Sequence, residues 1–277
     1  MITDFNCNRV FLSPKMASLC PVTYNELTKV LLRHTINYSL LEDTNDIWCR
    51  DFMPIQIGEN SFAAYRYYPD YLLKSARYRK SITDGKALGQ SLGFNLCSDL
   101  EEVIIDGGNV IKCDDKIIMT SKVFEENPSF TVSQLSSKIE KALGAELIII
   151  PWDTVEIFGH SDGVCRYISN NQILLTSYRD IDNRMTDRFV KSLKPHFDEV
   201  HELRFRTKRP KSTNWTYINW LQTERLLVLP AFDTKEDTEA LDQIAQYMPG
   251  YEIEMVDSRD LVIHGGGLNC CSWTIRE

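Results

Sequence analysis

One repeated pattern restricts the folds open to this chain more than any single motif does. Strand-forming runs at residues 9–12, 61–64, 116–119, 172–175 and 225–228 recur about 53 residues apart, which marks one structural unit used several times. Each run leads through a polar loop into a stretch of helical periodicity, at 23–34, 83–92, 131–143, 184–193 and 235–247. In the first of these, Thr23 and Glu26 stand at capping-box spacing ahead of an apolar stripe of Leu27, Val30 and Leu31. Further strands follow at 146–150, 199–205 and 252–256. The alternation predicts a single α/β domain spanning residues 1–277. Its fifth unit is incomplete unless residues 271–276 pair with residues 8–12. That pairing would close a pseudo-symmetric ring and remove exposed sheet edges, as in propellers.

A closed ring puts five loops in equivalent places, and they carry Asp51, Asp106, His160 with Asp162, Asn214, and Cys270. Positions that match structurally but differ chemically predict a shared central site. Cys270 follows the turn Gly265-Gly266-Gly267, whose glycines allow close backbone approaches, so its thiol is held firmly yet within reach. A free thiol is only slightly ionised at neutral pH, so a nucleophilic cysteine needs a cationic or proton-accepting neighbour. His160, in Gly159-His160-Ser161-Asp162-Gly163, is the candidate. Asp51 and Asp162 would suit a planar cation through paired charge-assisted hydrogen bonds. Taken singly, each of these residues also has a plain structural reading. Together they point to attack of a thiolate on the carbon of a guanidinium.

Charge limits the partners. Thirty-one Lys and Arg against 39 Asp and Glu leave a formal charge of -8, which opposes a general nucleic-acid or anionic-membrane binder and favours a cationic ligand. The first residues lack the basic end and apolar run of a secretory signal, and the longest greasy segment, 147–150, is far too short to span a bilayer. The expected location is the cytoplasm. The eight cysteines form no CxxC pair, so they read as reduced thiols, and no metal or organic cofactor is called for.

Trp48-Cys49-Arg50-Asp51, Gly159-His160-Ser161-Asp162, Thr216-Tyr217-Ile218-Asn219-Trp220 and the glycine turn ending at Cys270 resemble, in that order, the motifs of the guanidino-group-modifying enzymes. The resemblance runs from about Trp48 onward and is nearest to agmatine deiminase and the bacterial-type peptidylarginine deiminases. It implies a five-bladed α/β propeller of ββαβ units, with Cys270 as nucleophile, His160 as acid and base, and Asp51 and Asp162 clamping the guanidinium. Trp48 and Asn219 join the substrate-binding set by the same resemblance, and Asp106-Gly107-Gly108-Asn109 looks like the family's structural acidic turn. The implied activity is hydrolysis of a guanidine, such as agmatine or a free or peptidyl arginine, to a ureido product and ammonia through a covalent amidino-cysteine. An amidinotransferase and a non-catalytic binding protein on the same fold are the alternatives. Two departures stand out. Asn269 occupies a position where agmatine deiminases usually carry histidine, and Cys271 is an additional thiol.

Successive side chains on an extended segment face opposite ways, so only one of Cys270 and Cys271 can face the site. Cys270 is expected there, with Cys271 packed among apolar residues. The run Arg204-Phe205-Arg206-Thr207-Lys208-Arg209-Pro210-Lys211 reads as a solvated loop in an acidic protein, and the long segment 65–80 reads as a packed aromatic loop or a binding loop.

Overall fold

The structure is a computed structural model that describes residues 1–206 and 212–277, the side chain of Ser98 excepted. It is a mixed α/β fold built on five three-stranded sheets, strands being numbered in chain order. The middle strands are β1 (Arg9–Leu12), β4 (Ser61–Arg66), β7 (Lys116–Thr120), β10 (Gln172–Leu175) and β13 (Leu226–Ala231), the five runs that recur in the sequence. Each pairs antiparallel with a short strand on one side: β15 (Ser272–Ile275), β3 (Ile55–Gly58), β6 (Ile111–Cys113), β9 (Cys165–Tyr167) and β12 (Leu221–Gln222). On the other side each pairs parallel with the strand that follows its helix: β2 (Asn37–Leu40), β5 (Asn95–Ile104), β8 (Glu146–Ile150), β11 (Glu199–Glu202) and β14 (Glu252–Asp257). A parallel partner needs a crossover. The five longest helices supply it: α1 (Pro21–Arg33), α2 (Gly85–Ser91), α3 (Val132–Leu143), α4 (Asn183–Leu193) and α5 (Lys235–Tyr247).

The expected pairing of the two ends of the chain is present, with Arg9 opposite Ile275 and Leu12 opposite Ser272. Its effect is local. It completes one three-stranded sheet, and none of the sheets described closes on itself. The sheets are joined by apolar seams instead. Phe11 and Trp273 pack with Phe62 and with Ile117 and Met119. Ile118 and Ile148 meet Cys165 and Ile173, and Leu174 meets Trp220 and Leu227. Leu226 and Val228 then return to Val10 and Leu12. Covered on both faces, the middle strands bury nearly every residue, which is why they read as continuous apolar runs rather than alternating ones.

The start of α1 differs from the expected capping box. Pro21, pre-set for a first helical position, begins the helix two residues early, so Thr23 lies within its first turn. The orphan N–H groups of Val22 and Thr23 are accepted by Asp260, 2.8 and 3.3 Å away, from a distant part of the chain, and Glu26 accepts from the backbone of Asp257 at 2.8 Å. The basic run lies partly outside the described residues, at 207–211, while Arg204 pairs with Asp180 and Glu202. Among the described residues no helix is long and apolar enough to cross a membrane.

Candidate active site

The loops entering the first strand of each sheet converge. Asp51 lies in the short helical turn Cys49–Phe52 ahead of β3, Asp106 before β6, His160 and Asp162 before β9, Asn219 before β12 and Cys270 before β15. Their equivalence by repeat is therefore also a meeting in space. Asp51, His160, Asp162, Cys270 and Trp48 all line one cavity of about 930 Å³.

Cys270 is 7% exposed, and its Sγ lies 3.5 Å from Asp162 Oδ2 and 3.3 Å from Asn219 Oδ1. Burial pushes the thiol well above its ordinary range, and the charges of Asp162 and Asp51 push it further. Cys271 points the other way, into an apolar cluster with Cys20, Leu27 and Leu31, but not by the expected strand alternation: both cysteines lie in the turn ahead of β15, which begins only at Ser272. Asn219 is fully buried behind the turn rather than exposed to a ligand. Its Oδ1 accepts the backbone N–H groups of Asn269 and Cys270 at 3.1 and 3.2 Å, and its Nδ2 donates to the carbonyl of Asp162 at 3.2 Å. Its geometry is that of a brace between two loops. In the fourth unit this residue, and not Asn214, reaches the centre.

His160 turns both ring nitrogens to carboxylates rather than to the thiol. Nε2 lies 2.9 Å from Asp106 Oδ2, and Nδ1 lies 3.6 Å from Asp51 Oδ1. Burial alone would push the imidazole down, but the charge of Asp51, the hydrogen bond to Asp106 and the charges of Asp106 and Asp162 lift it to about 10. Asp51 moves in the same direction. Burial raises it to about 7, with Asp106 and Asp162 adding to the rise and His160 and the Gly108 N–H opposing it. Asp106, read in the sequence as part of a structural turn, is thus the imidazole's nearest partner. The two glycines after it supply the clearance. A Cβ on Gly107 would stand 2.0 Å from the Arg50 carbonyl, and one on Gly108 would stand 2.6 Å from Asp51 Oδ1 and 2.7 Å from His160 Nδ1. Asn109 ties the turn to its neighbours, its Oδ1 accepting from the backbone N–H groups of Thr120 and Ser161.

Trp48 forms a wall packed so closely on Gly266 that a Cβ there would lie 2.3 Å from the ring. The segment 65–80 also lines the cavity, contributing Tyr67, Tyr71, Leu72, Lys74 and Tyr78. It is tied down by Lys122, whose buried Nζ lies 3.0 Å from Asp70 Oδ1, donates to the Phe158 carbonyl at 2.9 Å and sits 4.8 Å above the Tyr71 ring. Five carboxylates, Asp46, Asp51, Asp153, Glu156 and Asp162, line the cavity, against Lys74 as the single lysine or arginine among the described residues. This field attracts a cation and repels an anion. No cluster among the described residues has the make-up of a metal site.

A protein of Legionella pneumophila (strain Paris) with a provisional agmatine deiminase name is 26% identical over 191 residues, 61% of this chain, and the match spans 54% of that protein's length. The agmatine deiminase of Pseudomonas syringae pv. syringae is 22% identical over 273 residues, covering 82% of this chain and 73% of the relative. Among solved structures, the agmatine deiminase of C. jejuni superposes with a TM-score of 0.77 at 18% identity, over 100% of this chain and 95% of that one. The agmatine deiminase of Enterococcus faecalis gives 0.72 at 15% identity, over 100% and 95%. At these identities the superpositions speak for the fold. Residues 15–275 match the model of one family, nearly the whole chain, and the chain therefore belongs to the Porphyromonas-type peptidyl-arginine deiminases.

Proposed function

We propose that this chain is a cysteine-dependent guanidine deiminase whose five sheets stand as propeller blades of one domain, residues 1–277, around the site. The seams that join each sheet to the next and the fifth to the first support that arrangement. The observation that carries the activity is the placement of Cys270, Asp162, Asp51 and the His160–Asp106 pair around one carboxylate-rich cavity.

In the unliganded site the thiol is protonated and the imidazole is charged. A guanidinium held between Asp51 and Asp162 places positive charge beside the sulfur, so the thiol proton leaves to solvent and the thiolate attacks the central carbon. Nitrogen departs as ammonia on taking the proton of His160, leaving an amidino-cysteine and a neutral imidazole. Water adds to that carbon and gives a proton to His160. The carbon–sulfur bond then breaks as the second proton of that water passes to the sulfur, releasing the ureido product and restoring the thiol. Asp106 holds the ring in place through both halves. The relatives' names make agmatine the first substrate to try, and the excess of carboxylates supports a guanidine without an acidic tail. The eight free thiols support a reducing, cytoplasmic setting.

The test is ammonia release from a panel of agmatine, arginine, peptidyl arginine and simpler guanidines, with and without an amine acceptor. Ammonia and a ureido product in the absence of acceptor are expected. Turnover only with an amine would make the chain an amidinotransferase, and none with any guanidine would refute the reading.

A further inference from the structure

Beneath the cysteine turn, outside the cavity lining, lies a buried chain of charges that the reaction does not use. Asp4, from the short helical turn Asp4–Asn6, places Oδ2 3.1 Å from Arg166 Nη2 and Oδ1 3.3 Å from Lys112 Nζ, with Arg50 Nη1 at 3.9 Å. Arg166, 3% exposed, donates through Nη1 to Asn269 Oδ1 at 3.0 Å. Asn269 Nδ2 donates in turn to Asp162 Oδ2 at 2.7 Å, the same oxygen that lies 3.5 Å from the Cys270 sulfur. The neighbours fix the amide's orientation. A guanidinium can only donate and a carboxylate can only accept, so the oxygen of Asn269 must face Arg166 and its nitrogen must face Asp162. Arg50 fastens the same turn with backbone and side chain, its N–H donating to the Cys270 carbonyl at 3.1 Å and its Nε to the Asn269 carbonyl at 3.4 Å.

We propose that Asn269 is a positioning residue: set by Arg166 and Asp4, its amide occupies Asp162 Oδ2 and weakens the hydrogen bond that this oxygen accepts from the Cys270 thiol. A carboxylate that accepts an S–H bond favours the protonated sulfur, whereas an oxygen already engaged by a shorter amide bond competes for it less. Being neutral, the amide also leaves Asp162 its full charge. An imidazolium in its place would cancel that charge. The charged groups facing the thiol and Asp162 are Asp51, His160, Arg50 and Arg166, with Asp4 and Lys112 behind the arginines. The inference rests on the deiminase reading only for what Asp162 finally binds.

Alkylation of Cys270 by iodoacetamide, a neutral probe, reads the thiolate without requiring any substrate. Rates are measured from pH 6 to 10 on the full chain by peptide mass spectrometry, for wild type, Asn269→Ala and Asn269→Asp, beside unfolding midpoints and ammonia release from the guanidine panel. Freeing Asp162 is expected to move the alkylation limb upward by about one pH unit, which is about tenfold slower labelling at any pH on the limb. Asn269→Asp, isosteric but with an acceptor where the donor was, is expected to slow it at least as much, and it carries the test if the alanine variant does not fold. An unmoved limb in a folded variant would overturn the proposal, making Asn269 a packing residue. A shifted limb in a chain that turns over no guanidine would leave the positioning role standing and refute the deiminase reading.

Discussion

Cys270 and Cys271 are neighbours in sequence with opposite surroundings, a carboxylate-lined cavity and an apolar cluster. Cys270→Ala is expected to abolish turnover and block labelling by a haloacetamidine with the fold intact. Cys271→Ala should keep most of the activity and cost about 1 kcal/mol, read from denaturant midpoints; label found on Cys271 would reverse the assignment. The imidazole makes a second, pH-dependent prediction. His160 is lifted from its ordinary 6.5 to about 10, so the folded state holds a proton that the unfolded chain releases between those values. Its contribution is complete below 6.5 and disappears as pH rises through 10. The gap in unfolding midpoint between wild type and His160→Gln should therefore narrow steadily from pH 7 to pH 10, and a constant gap would remove the charged imidazole from the unliganded site. That Cys270, His160, Asp51 and Asp162 would meet was legible in the sequence because they stand on equivalent loops of the repeat and their chemistry is particular to their residue types. Asp106 was visible on an equivalent loop but not as the partner of His160, since two adjacent glycines account for a turn without revealing what they make room for. Asn219 entered the substrate-binding set through the resemblance alone, and its buried place behind the cysteine turn depends on loops that meet only in the fold.

At the scale of elements, local rules settled most of the helices and failed where a distant residue intervened. Thr131 and Gln134 form a real capping box on α3, their side chains trading bonds with each other's backbone. Thr23 and Glu26 have an equivalent spacing and do not, because Pro21 starts α1 earlier and Asp260 takes over its free N–H groups. Asp260→Ala should thus destabilise the protein by about 1 kcal/mol, as loss of an N-cap does, with kcat nearly unchanged. Equal denaturant midpoints would show that water replaces the carboxylate at no cost. Strand positions were easier to read than strand ends: the middle strands, buried on both faces, produce dense apolar runs, whereas β11 stops at Glu202 well before the expected 205. Nothing in that segment's periodicity marks the point at which pairing with β10 ends.

For the whole molecule, the five-unit repeat could be read in the sequence because its spacing is nearly constant, while its division into separate three-stranded sheets was implied only by the family resemblance, since side-chain pattern records burial and not which backbone bonds to which. Deleting residues 1–12 removes β1, the centre of its sheet, and leaves β15 and β2 with no strand between them. The truncated protein is expected to lose cooperative unfolding and soluble expression as a whole, checked by calorimetry; a deletion variant melting near wild type would show that this sheet is dispensable. The shared sheet also has a consequence for biosynthesis. β15, the strand that follows the Cys270 turn, pairs with β1 across the sequence span from Arg9 to Ile275, so this contact is among the slowest to close by topology. A ribosome that stalls before Ser272 releases a chain with four hairpins available to fold and no seat for its nucleophile, so reactivity arrives in one step, only after translation has passed that strand.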